Sequence, residues 1–175
     1  KPNPLGQSSW KALFDQCDQT AANALQAGFA GEIARECDWL SENWPPNLPQ
    51  CAVHTDLFPD NVLIRGDQVG GLIDFYFACT DFRAYDLAVT HAAWSFTADG
   101  RHYLAEIGTA LLEGYGAVIQ LTEDEKQALP VLARGASLRF LLTRLYDWIN
   151  TPADAMVTRK DPLAFYHRLK FYSNA

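Results

Sequence analysis

The chain has 175 residues, 49% of them hydrophobic and 20% charged, with a formal net charge of −7. That length suits a single domain with a sizeable core, and five Trp, seven Tyr and ten Phe supply enough apolar surface to exclude a disordered chain. The acid excess, with no basic patch, excludes broad binding to nucleic-acid phosphates, and no run of about 18 uncharged apolar residues is present to span a membrane.

From the N-terminus, the periodicity predicts helices over 9–27 and 31–43, with Trp10, Leu13, Phe14 and Cys17 at helical spacing in the first. Pro45, Pro46 and Pro49 end that pattern. Val62-Leu63-Ile64 and the run Val69 to Ile73 read as two short strands joined at Gly66-Asp67, a β-hairpin. After Thr80-Asp81, either of which suits a cap, helical spacing resumes with Phe82, Tyr85, Val89, Ala93 and Phe96. Residues 101–117 repeat it, and Thr122-Glu123-Asp124-Glu125 is a capping-box start for a further helix. Residues 131–149 show the strongest helix, with Leu138, Leu142, Leu145 and Ile149 along one stripe and Arg139, Arg144 and Asp147 off it. A last short helix follows Asp161-Pro162. The expected fold class is mainly α with a small β-hairpin, α+β, in one domain over 1–175.

Cys17, Cys37, Cys51 and Cys79 have wide, irregular spacings without C-x-x-C, so neither a zinc site nor a disulfide framework is expected. No signal-peptide pattern opens the chain and no N-x-[ST] acceptor occurs, so the expected location is cytoplasmic. The first residues are Lys1-Pro2-Asn3-Pro4 rather than Met, which reads as a piece of a longer protein.

The unusual polar residues cluster around the hairpin. His54-Thr55-Asp56 is followed by Asn61 five residues after Asp56, and Asp74 arrives behind the apolar run Leu72-Ile73. A hairpin between Asn61 and Asp74 returns both side chains to one end, with Asp56 on the loop before it. One carboxylate suits the proton of an attacking hydroxyl, while an amide oxygen and a second carboxylate suit magnesium, which takes few protein ligands and completes its shell with phosphate and water. The alternative has His54 as a core histidine, Asp60-Asn61 as a turn and Asp74 as a strand-end cap; it explains each residue but not their joint spacing. An EF-hand is excluded because Asn61 stands where that loop needs Gly, and His91, His102 and His167 fall in no zinc-ligand spacing.

This spacing resembles the kinase catalytic loop, H-x-D-L-x-x-x-N, and the metal aspartate of D-F-G. The chain is similar to the small-molecule kinases of the aminoglycoside phosphotransferase and choline kinase family, and within it most to the kinase-like homoserine kinases. The likeness rests on His54 to Leu63, Leu72 to Cys79, Tyr85-Asp86-Leu87-Ala88-Val89, Leu138-Arg139-Phe140-Leu141, Arg144 to Trp148 and Lys160-Asp161-Pro162. The resemblance implies the C-terminal lobe of a protein-kinase-like fold. It places Asp56 as catalytic base, Asn61 and Asp74 as magnesium ligands, and His54 and Asp86 as structural supports of the catalytic loop. It implies ATP as co-substrate and Mg2+ as cofactor. The acceptor it implies is a small hydroxyl-bearing amino acid, most closely homoserine, phosphorylated on the way to threonine. Arg139, Arg144 and Asp147 are the candidates for binding its carboxylate and ammonium; for Arg144 and Asp147, at i and i+3, an ordinary surface pair is the competing reading.

Two departures bear on the substrate. Tyr76 replaces the Gly of D-F-G, which points away from protein substrates, and Ala92-Ala93 precedes Trp94 where homoserine kinases often carry Asn-Asp. An aminoglycoside or choline acceptor, or a non-catalytic kinase-like binding module, remains open. Upstream of His54 the only lysines are Lys1 and Lys11, and no Gly-rich phosphate loop precedes them. The N-terminal nucleotide-binding lobe is therefore expected to be missing from this chain, leaving it inactive alone, with an exposed apolar face toward that lobe.

Overall fold

The computed structural model describes residues 1–152, 155–156 and 158–174. Seven α-helices and four short strands follow one another: α1 (Trp10–Asp15), α2 (Gln19–Leu25), α3 (Phe29–Asn43), β1 (Gln50–Val53), β2 (Val62–Arg65), β3 (Gln68–Leu72), β4 (Cys79–Phe82), α4 (Arg83–Trp94), α5 (Ala105–Val118), α6 (Glu123–Asn150) and α7 (Leu163–Ser173). The expected mainly helical α+β class is what the chain adopts.

The helix expected over 9–27 is two helices. The Asp18 carboxylate accepts from the Thr20 and Ala21 N–H groups, so it starts α2 instead of sitting inside a longer helix. In the opposite sense, the two helices expected on either side of Pro130 are one. Pro130 lies inside α6 and denies the Lys126 carbonyl its donor. Leu132, Ala133 and Ala136, buried in the next turn, hold the helix through that defect. The capping box is present as expected: Glu125 N–H donates to Thr122 Oγ1, and Thr122 N–H donates to Glu125 Oε2. Thr80 and Asp81 are not helix caps but belong to β4, where Asp81 accepts from Asn3 Nδ2 at 2.7 Å.

The core forms around α6, which at 28 residues is about 42 Å long. Leu138, Leu141, Leu142 and Leu145 of α6 are fully buried against Tyr85 and Val89 of α4 and Phe165 and Leu169 of α7. Helices α1 to α3 add Trp10, Phe29, Ile33 and Leu40 to the same cluster. Gly135 is where α6 admits the closest neighbours. A Cβ there would lie 2.3 Å from the Trp44 ring and 2.7 Å from the Trp10 ring, whose centroids are 5.1 Å apart edge to face.

The strands form two nested antiparallel pairs. The outer pair, β1 with β4, runs from Gln50↔Phe82 to Val53↔Cys79 and was not legible in the sequence. Within the excursion between them, β2 and β3 make the expected hairpin, from Val62↔Leu72 to Arg65↔Gln68, turning at Gly66 with φ +62°. Ile73 N–H donates to the Asn61 carbonyl at 3.0 Å and closes the hairpin's open end. Segments 54–61 and 73–78 are thereby pinned side by side between the two ladders. The hairpin and the segment after it expose apolar side chains, among them Ile64, Val69, Phe75 and Tyr76.

Two predictions follow from the packing. Gly135→Ala forces the two indoles apart and should cost about 1–3 kcal/mol, the range for overpacking, read as a lower urea midpoint. The second concerns the joint between α4 and α6. Arg83 donates from Nε and Nη2 to the two Glu125 carboxylate oxygens, each at 2.7 Å. That pair holds Glu125 below its ordinary 4.5, against burial, which pushes the other way. Its stabilisation is thus complete above pH 4.5 and is lost as pH falls through the lower folded value. Glu125→Gln should lower stability at neutral pH and flatten its acid limb, measured by urea unfolding between pH 7 and 3.

Candidate functional site

Each backbone group of Thr55 is held by a different element. The N–H groups of His54 and Thr55 donate to the Asp86 carboxylate, at 3.2 Å to Oδ2 and 2.6 Å to Oδ1. Asp86 sits in the first turn of α4, where the helix dipole favours a negative charge. The Thr55 carbonyl accepts from Arg139 of α6, and its hydroxyl donates to the Phe77 carbonyl at 3.1 Å. Thr55 needs such restraint, because its φ of +60° is left-handed and it is β-branched. The other described non-glycine residue with positive φ is Asp74, at +62°.

His54 ties the two segments together. Its ring Nε2 lies 2.9 Å from the Ile73 carbonyl, and its Nδ1 accepts the Asp56 N–H at 3.3 Å. These partners assign a neutral ring carrying its proton on Nε2. The ring packs on Phe75 with centroids 4.8 Å apart. Trp94 donates to the Leu57 carbonyl at 2.9 Å, so α4 holds the loop on both sides of Asp56. Asn61 donates from Nδ2 to the Asp56 carbonyl at 2.7 Å, which fixes the amide and leaves Oδ1 as an acceptor.

Asp56, Asn61 and Asp74 meet at one cavity of about 420 Å³, together with Asp60. The cavity is also lined from α6 and the segment before α7, which contribute Arg139, Arg144, Asp147 and Lys160. All six candidates for base, metal and substrate thus share one space, while His54 and Asp86 stand behind the loop. Burial raises the Asp56 carboxyl above its ordinary 3.8, the Arg139 charge opposes that rise, and the Asp74 charge adds to it.

The α6 residues differ from their expected setting. Arg139, expected off the leucine stripe as a substrate-binding candidate, lines the cavity yet is 1% exposed, stacked 4.4 Å over the Phe140 ring, with a nitrogen committed to Thr55. Arg144 and Asp147 form no ion pair among the described residues. Arg144 lies 4.5 Å over the Phe165 ring and donates to the Asp161 carbonyl at 3.4 Å. Lys160 carried no assigned role in the sequence. It stands in one of the segments that carry the resemblance, but its place beside the Asp56 loop depends on how the chain folds back over α6.

The donor set fits a magnesium ion. Asn61 Oδ1 and the Asp74 carboxylate are hard oxygens, and Asp74 receives no side-chain hydrogen bond among the described residues. No group of three or more His, Cys, Asp or Glu forms a closed cage among those residues, so a cation here draws its remaining ligands from elsewhere, as magnesium does from phosphates and water.

Residues 4–121 match the family described as phosphotransferase enzyme family. Homoserine kinases of Zymomonas mobilis and Rhizobium etli are each 49% identical to the chain, over 175 and 172 residues, covering 100% and 98% of it and 54% and 53% of those proteins. A homoserine kinase of Gluconobacter oxydans is also 49% identical, over 177 residues, covering 100% of this chain and 55% of that protein. The chain spans about half the length of the curated relatives it matches.

The loop's dependence on Asp86 is open to direct test. Asp86→Ala orphans two loop N–H groups, at about 1–3 kcal/mol for each that stays buried and unpaired. Amide hydrogen exchange at His54 and Thr55 should speed up relative to the α6 core. Unchanged exchange at both would separate Asp86 from the loop.

Proposed function

The chain belongs to the phosphotransferase enzyme family, and from that premise we propose that it carries the acceptor side and catalytic loop of an ATP-dependent kinase that phosphorylates the hydroxyl of homoserine. The observation that carries this reading is the convergence of Asp56, Asn61 and Asp74 on one cavity that Arg139, Arg144 and Lys160 also line.

Asp56 orients the acceptor hydroxyl and takes its proton as the oxygen attacks the γ-phosphorus of ATP. The new O–P bond forms as the bond to ADP breaks, and O-phosphohomoserine leaves. Burial suits Asp56 to this task, since it raises the carboxylate's proton affinity and so makes it a better base. Asn61 and Asp74 would hold magnesium, which would supply neutralisation of the phosphate charge. Asp86, His54 and Arg139 act on the loop: they keep Asp56 at a fixed place, and positioning contributes much of the rate in phosphoryl transfer. Arg144 and Asp147, of opposite charge on the acceptor wall, suit a zwitterionic amino acid better than a polycationic aminoglycoside.

In the same reading this chain is the C-terminal lobe of a two-lobed enzyme, and a nucleotide-binding lobe outside these 175 residues supplies the clamp on ATP. Lys11 lies in α1 rather than on a strand, so it does not serve as the phosphate lysine. The exposed apolar hairpin is the face that lobe covers.

The deciding assay is coupled ADP release by the full-length gene product with homoserine, choline and an aminoglycoside as acceptors; homoserine should lead. In that protein Asp56→Asn should lower kcat by roughly 10²–10⁴-fold with little change in the KM for ATP. Asp74→Ala should abolish turnover at any magnesium concentration. Retention of more than half of wild-type turnover by Asp56→Asn would remove it from the mechanism. The isolated 175-residue chain should show background turnover only.

A further inference from the structure

Three cations face the cavity, and they differ in what already occupies them. Arg139 is buried, with its guanidinium on the Thr55 carbonyl and the Phe140 ring. Arg144 is half-buried, stacked on Phe165 and directed to the Asp161 carbonyl. Lys160 is exposed, and its ammonium has no hydrogen bond and no carboxylate partner among the described residues. The aromatic contact it has is loose, 5.8 Å from the centroid of Phe58, a residue of the Asp56 loop that also lines the cavity.

Position adds to availability. Lys160 borders both the main cavity and an adjoining recess of about 320 Å³ formed with Arg144, Asp147 and Arg159. Asp56, Asp60 and Asp74 repel an anion within this cavity and Lys160, whose charge also reaches Asp56, attracts one. An acceptor whose hydroxyl meets Asp56 and which extends across the cavity brings its other end to Lys160. Asp147 lines the same cavity and suits an ammonium.

We propose that Lys160 is the residue that binds the carboxylate of the acceptor amino acid and so selects amino acids over simple alcohols. This rests on the functional reading above and deepens it. Arg139 is thereby reassigned from substrate binding to holding the loop. A lysine suits the task because its compact charge with three donors pairs with a carboxylate from a flexible stem, and an exposed position leaves it unpaired until substrate arrives.

The test uses the full-length enzyme, with homoserine and 3-aminopropan-1-ol, the same molecule without its carboxylate. Lys160→Met should raise the KM for homoserine by roughly 10- to 100-fold, the range for losing a hydrogen bond between charged groups. It should leave kcat, the KM for ATP and the efficiency with 3-aminopropan-1-ol within about threefold of wild type. Lys160→Arg should recover most of the loss with homoserine. Calorimetric titration of homoserine should show the same weakening without turnover. Equal losses with both acceptors, or none with either, would overturn the assignment. A rise confined to the KM for ATP would also overturn it, placing Lys160 on phosphate. Wild-type enzyme that ignores homoserine would instead overturn the functional reading itself, and Lys160 with it.

Discussion

The site depends on a backbone segment that does not hold its own shape. Thr55 is β-branched and left-handed, a conformation that costs about 1–3 kcal/mol, yet it sits between His54, which meets the Ile73 carbonyl, and Asp56, which lines the cavity. What makes it tolerable is attachment on all sides. Asp86 takes its N–H, Arg139 its carbonyl and Phe77 its hydroxyl. Two of those partners stand on α4 and α6, helices that pack along each other through the most buried part of the core. The core therefore acts on the chemistry by direct hydrogen bonds to one residue.

The same construction separates two tasks spatially. The loop side of the cavity is anionic and rigid: Asn61 is fixed by the Asp56 carbonyl, and His54 bridges Asp56 to Ile73. The other lining residues on α6 and the segment before α7 include three cations, of which Arg139 is buried, Arg144 half-buried and Lys160 exposed. Proton transfer and metal binding demand fixed oxygens, because small displacements cost large factors in rate. Recognition of an acceptor's charged groups tolerates more freedom, since a charge pair decays more gently with distance than a reacting geometry.

That separation explains which parts were legible in the sequence. Asp56, Asn61 and Asp74 lie within nineteen positions and a single hairpin, so their meeting follows from strand period and turn chemistry alone. The helices with a clear apolar stripe were legible for the same reason. The α1–α2 break was not, because the Asp18 cap interrupts an otherwise continuous apolar spacing. The continuity of α6 was hidden by Pro130, whose local cost is overridden by burial on the turn after it. The β1–β4 ladder was missed because its four-residue strands pair across the entire hairpin excursion, which leaves no local signal. The burial of Arg139 was not legible, since a charged residue off the leucine stripe shows no partner until the Thr55 carbonyl is in place.

Lys160 is the extreme of this trend. Its neighbours in sequence form the link between α6 and α7, and only the antiparallel return of α7 along α6 carries it to the cavity. On the proposed function, such an arrangement keeps the reaction in one short contiguous segment and the acceptor preference in residues that tertiary packing brings from far away. Changes at Lys160 would then retune the acceptor while the loop, held by Asp86 and Arg139, stays as it is. Changes at those two supports would instead disturb Asp56 for every acceptor alike. The two walls of one cavity thus answer to different parts of the chain, and that division follows from where Thr55 had to be anchored.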